Sequence, residues 1–161
     1  MDVFSSSNSP FSIVNHRLVG GGVIHVVCEK NRRGLGEPDM IILHYTGGTS
    51  AMSSAKFLVR PDVKASAHVV IGRDGQVIQL VPFNIEAWHA GKSSYGGRNE
   101  LNHYSIGIEL DNLGQLRLEG GKFVAECGKE VPVGEVYTED SGEEPTYWHD
   151  YIKMQQPAVK V

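Results

Sequence analysis

A six-residue apolar run at positions 40–45 ends in His44 and Tyr45. Its β-branched residues and its lack of polar alternation predict a central strand that is covered on both faces of a sheet. Two similar runs, at 23–28 and 104–110, predict further strands. The chain is therefore expected to fold around a sheet, and the end of its first buried strand carries an imidazole.

Local turn and cap signals add to this framework. Two short β-branched runs, 68–71 and 76–80, flank an Asp-Gly pair, which is typical of a tight hairpin. A helix is predicted near 50–59, with Ser50 as its N-cap. Residues 113–146 are rich in Gly, Glu and Pro, and they are expected to be irregular with a few short strands. Strands mixed with few helices predict a single α/β or α+β domain.

Composition limits the classes of function. The 161 residues suffice for one domain with a hydrophobic core, and the net charge of -4 gives no basic stripe for nucleic acid. No apolar run approaches the roughly 20 residues that span a bilayer. We expect a disordered leader at 1–12, a domain at 13–161, and a protein that is cytoplasmic or exported without a classical signal peptide. Cys28 and Cys127 could pair, but two reduced thiols are the preferred interpretation.

Three segments are candidates for chemistry. His44, followed by two glycines, could present its imidazole at a sheet edge, or it could be a hydrogen-bonded core histidine. The Trp-His-Ala-Gly loop at 88–91 suits a sugar or peptide groove, unless Trp88 fills the side of the core. Glu109 ends an apolar strand, where desolvation would raise its pKa towards that of a general base. The alternative is a surface carboxylate, with Leu110 packing instead.

Together, the segments 40–45, 66–75, 88–91 and 105–110 resemble the type 2 N-acetylmuramoyl-L-alanine amidase family. That family includes the peptidoglycan recognition proteins and phage lysozyme-type amidases. The resemblance covers about 14–151 and implies an α/β fold, a mixed sheet flanked by helices, with a zinc-binding groove at one edge. It also implies hydrolysis of the amide between the lactyl group of N-acetylmuramic acid and the L-alanine of the stem peptide.

The resemblance assigns roles to individual residues. It implies that His44 is the first zinc ligand and that Glu109 takes a proton from the zinc-bound water. A zinc ion with an open position acidifies its water and polarises the carbonyl, which fits amide hydrolysis. His68 is implied to be structural or to support the metal ligands from behind, and not to be a ligand itself. The residues expected to contact a peptidoglycan or muropeptide substrate are Tyr45, Thr46, Trp88, His89, Ala90, Gly91 and Asn102.

The sequence departs from the family pattern near its C-terminus. The family takes two further zinc ligands and a Lys from a segment after a long helix, whereas here residues 147–151 resemble only the lead-in and Pro157 would interrupt the helix. We expect a truncated chain that binds zinc weakly and has an uncovered sheet face open to self-association. A non-catalytic module that binds peptidoglycan fragments is the alternative. A third account recruits another histidine, from among His149, His103 and His89.

Overall fold

The computed structural model describes residues 10–31, 33–140, 142 and 144–151. One helix and two five-stranded sheets dominate it. The helix is α1 (Ala51–Leu58), and the strands are β1 (Phe11–Val14), β2 (Arg17–Gly20), β3 (Ile24–His25), β4 (Met40–Tyr45), β5 (Val69–Ile71), β6 (Val77–Gln79), β7 (Ser94–Tyr95), β8 (Arg98–Asn99), β9 (Ser105–Leu110), β10 (Gln115–Glu119), β11 (Lys122–Ala125), β12 (Glu130–Val131), β13 (Val136–Glu139) and β14 (Thr146–His149). Single 3-10 turns span Leu101–His103 and Val133–Glu135.

The first sheet has the order β3-β6-β5-β9-β4. Strands β5 and β6 are antiparallel and form the hairpin predicted around the Asp-Gly pair, and the other three pairings are parallel. The four strands predicted from position 40 onward are confirmed to within one residue at each end. The run at 23–28 forms only the short β3, although Val26 and Cys28 still donate backbone hydrogen bonds to the β6 side. The mixed sheet with its helix confirms the predicted α/β fold.

Strand β4 was expected in the centre of the sheet, and that prediction is wrong. Within the described residues it pairs only with β9 and forms an edge. Its outward row is exposed, with Ile41 at 44%, Leu43 at 46% and Tyr45 at 47%. An apolar run indicates that a strand can be covered on both faces, but the pairing partners decide where the strand lies.

The two faces of the sheet are covered differently. Helix α1 packs Ala55 and Leu58 against Val70 on one face, in a buried apolar cluster. Ser50 accepts a hydrogen bond from the backbone N–H of Ser53, so it is the N-cap that the sequence predicted. The other face packs under Phe11 and Leu18 of the β1–β2 hairpin. The face covered by α1 is the one that carries the candidate site.

Residues 113–146 are far more regular than expected. They form most of a second, antiparallel sheet with the order β12-β11-β10-β14-β13. The β10–β11 hairpin turns at Gly120 and Gly121, which both have positive φ, and Leu116 packs in a separate core with Val131. The segment 147–151, expected to lead into a helix, instead contains the end of β14.

The predicted leader and tail fall only partly within the described residues. Phe11 and Ser12, assigned to a leader at 1–12, belong to β1 and pair with β2. Residues 1–9 and 152–161, including the predicted interruption at Pro157, lie outside the described residues. In the part of the chain that is described, no helix is long and apolar enough to cross a membrane.

Candidate active site

His44 and Glu109 lie opposite each other on the parallel strands β4 and β9. Residues paired in this way project from the same face of the sheet. On the other side of β9, Glu109 pairs with Val70, whose side chain packs with helix α1. The long-range strand pairing therefore brings together the two residues to which the family resemblance gives the principal chemical roles.

Burial raises the pKa of Glu109 to about 7. The carboxyl group lies in a half-buried position between two apolar strands, where its charged form is poorly solvated. It lines a cavity of about 470 Å³ together with Tyr45, Thr46, Phe57 and Cys127. A carboxyl group with this pKa can exchange a proton near neutral pH, as a general base requires.

Tyr45 and Thr46 shape one wall of this cavity. The Tyr45 ring lies edge-on to Trp148, with 6.3 Å between ring centroids, and it packs so closely on Gly114 that a Cβ there would lie 2.2 Å from the ring. Thr46 Oγ1 accepts a hydrogen bond of 3.2 Å from the backbone N–H of Gly48, which turns the chain at the end of β4. Both predicted groove residues therefore border the cavity that contains Glu109.

The loop at 88–91 brings His89 to His44. His89 Nδ1 lies 3.1 Å from His44 Nε2. The loop is held by Asn102, whose Oδ1 accepts hydrogen bonds from the backbone N–H groups of His89 at 3.0 Å and Ala90 at 2.8 Å. The Trp88 side chain does not fill the side of the core, because the residue is 38% exposed.

His89 is accommodated by a glycine on the neighbouring strand. A Cβ at Gly107 would lie 2.2 Å from the His89 ring, so only glycine leaves space for the imidazole above β9. Ser105, two residues earlier, approaches His89 Nε2 at 3.3 Å with its hydroxyl oxygen. Burial, with smaller contributions from the charges of His68 and His44, lowers the pKa of His89 to about 4, so its ring is neutral at pH 7.

His68 is buried beneath this layer. Its Nδ1 accepts a 3.0 Å hydrogen bond from the backbone N–H of Gly107, and its Nε2 lies 3.0 Å from the carbonyl of Ile85. Burial lowers the pKa of His68 to about 4, so the ring is neutral and donates from Nε2. Both ring nitrogens are occupied, which supports the structural role that the resemblance implied.

The other two histidines considered as additional zinc ligands, His149 and His103, make contacts away from His44. His149 is buried at the joint between the sheets, where its Nδ1 accepts from the Leu113 N–H at 3.1 Å and its Nε2 lies 3.3 Å from Glu135. His103 Nδ1 contacts the buried carboxylate of Glu86 at 2.6 Å. Of the three candidates, His89 is the one beside His44.

A second cavity, of about 310 Å³, adjoins the first at Gly48 and Thr49. It lies between the two sheets and is lined by charged groups that include Arg73 and Lys129. Arg73 is already paired with Glu135 at 3.1 Å. The charges within this second cavity are thus partly neutralised by one another.

Three residues around the site escaped sequence reasoning. Cys127 comes from the second sheet and lines the cavity of Glu109. Cys127 and Cys28 are both free thiols, which confirms the preferred interpretation of the two cysteines. Ser105 and Gly107 precede Glu109 by four and two positions on β9. The two-residue period of the strand could have placed Gly107 on the face of Glu109, but the contact with His89 depends on a distant loop.

The described residues do not form a complete metal site. No group of three or more His, Cys, Asp or Glu side chains among them could hold a metal ion. Among them, His44 is the residue that matches a family zinc ligand, and burial lowers the pKa of its imidazole, which favours the neutral ring that a ligand requires. Catalytic zinc sites use three protein ligands, so the residues described fit zinc only in part.

A family model for N-acetylmuramoyl-L-alanine amidase matches residues 34–146. This chain belongs to the N-acetylmuramoyl-L-alanine amidase family. The matched residues contain β4, β9 and the 88–91 loop, and so include His44, His89 and Glu109. Membership of the amidase family agrees with the resemblance on which the sequence prediction was based.

Curated relatives in this amidase family share part of the chain. The 1,6-anhydro-N-acetylmuramyl-L-alanine amidase AmpD of Citrobacter freundii is 44% identical over 79 residues, which is 49% of this chain and 42% of that protein. The N-acetylmuramoyl-L-alanine amidase AmiD of Escherichia coli is 34% identical over 93 residues, 53% of this chain and 33% of that protein. The chain therefore spans less than half the length of these relatives.

A solved structure has a similar fold. The crystal structure of AmpDh3 from Pseudomonas aeruginosa in complex with anhydromuramic pentapeptide superposes with a TM-score of 0.51 and 28% identity. The match covers 76% of this chain and 42% of that one. This likeness supports the α/β fold described above.

Proposed function

We propose that this chain is an amidase domain that hydrolyses the lactyl–L-alanine amide of peptidoglycan or muropeptides. The observation that carries the proposal is the pairing of His44 with Glu109 across β4 and β9, within an amidase family domain, where Glu109 also lines a cavity. A relative named for 1,6-anhydro-N-acetylmuramyl-L-alanine and a solved neighbour that holds an anhydromuramic pentapeptide support this class of substrate.

Glu109 is the proposed general base. In its ionised form it takes a proton from a water molecule whose oxygen attacks the lactyl carbonyl carbon. The C–N bond then breaks, and a proton passes to the nitrogen of the leaving L-alanine. The raised pKa of Glu109 matches this task, since a base with a pKa of about 7 is both available and effective near neutral pH.

The remaining predicted residues are proposed to bind the substrate. Tyr45 and Thr46 border the cavity of Glu109. The exposed Trp88 ring suits contact with a sugar face or a peptide, and Ala90 and Gly91 continue the same loop. Asn102 acts on the substrate indirectly, because its side-chain oxygen is used to hold that loop.

Zinc is the proposed cofactor, with His44 as a ligand. Bound zinc would polarise the amide carbonyl and acidify a water molecule. The described residues fit this ion only in part. Zinc dependence is tested directly by assaying the chain after treatment with a chelator and again after zinc is added back.

Self-association through the exposed face of β4 is a separate proposal. The outward row of Ile41, Leu43 and Tyr45 is large and apolar for a solvent-facing surface. Sedimentation velocity over a range of concentrations should reveal a dimer, which Leu43→Lys should weaken. A monomer at every concentration would reject the proposal.

The experiment for the main proposal is release of stem peptide from a purified muropeptide, followed by mass spectrometry. Glu109→Gln should reduce the rate by about 100- to 10,000-fold, the usual contribution of a general base. Glu37→Gln, at an exposed position, is the matched control and should keep the parental rate. The alternative is a peptidoglycan-binding module, and calorimetric binding of the muropeptide without any release of peptide would favour it.

A further inference from the structure

We propose that Ser105 and His89 form a directional hydrogen-bond relay that fixes the tautomer of His44, with its proton on Nε2 and its lone pair on Nδ1. Neither Ser105 nor His89 then touches the substrate in this role. Both are positioning residues that act through His44. The tautomer itself follows from the hydrogen bonds alone, and only the use of the Nδ1 lone pair rests on the proposed function.

The relay begins at a carbonyl oxygen. Ser105 is fully buried, and its hydroxyl donates a 2.6 Å hydrogen bond to the backbone carbonyl of Leu101. A serine hydroxyl has one hydrogen and two lone pairs. Once that hydrogen is given to Leu101, the oxygen of Ser105 can only accept from its other neighbour.

That neighbour is His89 Nε2, at 3.3 Å from Ser105 Oγ. The Ser105 oxygen only accepts, so the N–H of the His89 ring must lie on Nε2, facing that oxygen. A proton on Nδ1 instead would leave two lone pairs facing each other across a buried contact.

The bare nitrogen of His89 is consequently Nδ1, and it lies 3.1 Å from His44 Nε2. His44 must donate from Nε2 to complete this hydrogen bond. With its N–H on Nε2, the His44 ring carries its lone pair on Nδ1. An imidazole that binds a metal commonly uses one nitrogen for the ion and donates from the other to an outer partner, which fixes its tautomer.

The position of His89 is fixed from several sides. Asn102 holds the backbone N–H groups of residues 89 and 90, and Gly107 leaves the space that the ring occupies. The His68 ring lies edge-on at 5.9 Å between centroids. Since His89 can hardly rotate away, its Nδ1 stays directed at His44.

The relay can be tested by long-range ¹H–¹⁵N correlation spectra of the uniformly ¹⁵N-labelled full chain at pH 7.5 without metal. His44→Gln assigns the His44 signals by their loss. The spectrum of the unsubstituted chain should show His44 as the Nε2–H tautomer alone. A His44 ring protonated on Nδ1, or a mixture of both forms, would overturn the proposal whatever the variants show.

Two variants of nearly equal size separate the relay from simple packing. His89→Asn can place an amide oxygen near the former Nδ1 and should preserve the Nε2–H tautomer of His44. His89→Leu has no acceptor and should give a mixture of tautomers. Identical His44 spectra in both variants would contradict the relay. An inactive chain that shows the expected tautomers would reject the proposed amidase activity while leaving the relay intact.

Discussion

Replacing Glu109 by Gln should stabilise the folded chain at alkaline pH while slowing hydrolysis by about 100- to 10,000-fold. The pKa of the Glu109 carboxyl rises from about 4.5 to about 7 in the folded protein because burial disfavours its charge. This shift costs about 3 kcal/mol of folding free energy once the group is ionised, at about 1.4 kcal/mol for each tenfold change in proton affinity. The cost is absent below the unfolded-state pKa, develops between about pH 4.5 and 7, and is complete above that range.

Urea unfolding at pH 4 and pH 8.5 measures this cost. Glu109→Gln should match the parent at pH 4 and exceed it by up to about 3 kcal/mol at pH 8.5, since the amide does not titrate. Titration of buried His68 and His89 affects both proteins equally and cancels in the difference. The exposed control Glu37→Gln should show no such pH-dependent gap. An equal gap for Glu109→Gln and Glu37→Gln would refute the buried-carboxyl reasoning and, with it, the proposed base.

Three further changes test the scaffold by urea unfolding. Lys30→Met removes an ammonium group that lies within hydrogen-bond distance of four backbone carbonyls at and beyond the C-terminal end of helix α1, and it should cost about 2 kcal/mol, whereas exposed Lys92→Met should change little. Ser50→Ala should cost about 1 kcal/mol through loss of the N-cap, and no change would mean that water replaces it. Gly114→Ala should cost more than about 1 kcal/mol because Gly114 has φ +76 and the Tyr45 ring lies against it; an unaltered midpoint would contradict this packing.

Part of the second sheet is predictable from its local sequence, because β10 has the alternation of apolar and polar residues that is typical of a strand. Leu116 and Leu118 alternate with polar residues in β10, and the Gly-Gly pair that follows is a good hairpin turn. The high content of Gly, Glu and Pro in residues 113–146 predicted an irregular segment instead. The way the second sheet packs against the first could not be predicted. It depends on the burial of His149 and on a hydrogen bond from the Leu113 N–H to His149, and these residues lie far apart in the chain.

The sequence by itself determined the local structure and identified the groups proposed to react. The apolar runs, the Asp-Gly turn and the Ser50 cap are encoded by neighbouring residues, and so their elements lie where the sequence predicts them. His44 and Glu109 were likewise identified from the ends of their strands and from the family pattern. These features need only short-range information, since backbone preference and side-chain period act over a few residues.

The tertiary structure alone decided how those groups act on one another. Strand register sets His44 opposite Glu109, and the packing of a distant loop into the space above Gly107 brings His89 to His44. The pKa of Glu109 depends on the burial of its carboxyl group, which lies in a cavity lined by residues of β4 and α1 and by Cys127. Such effects are invisible in sequence because register, burial and hydrogen-bond direction arise from contacts between segments that lie far apart in the chain.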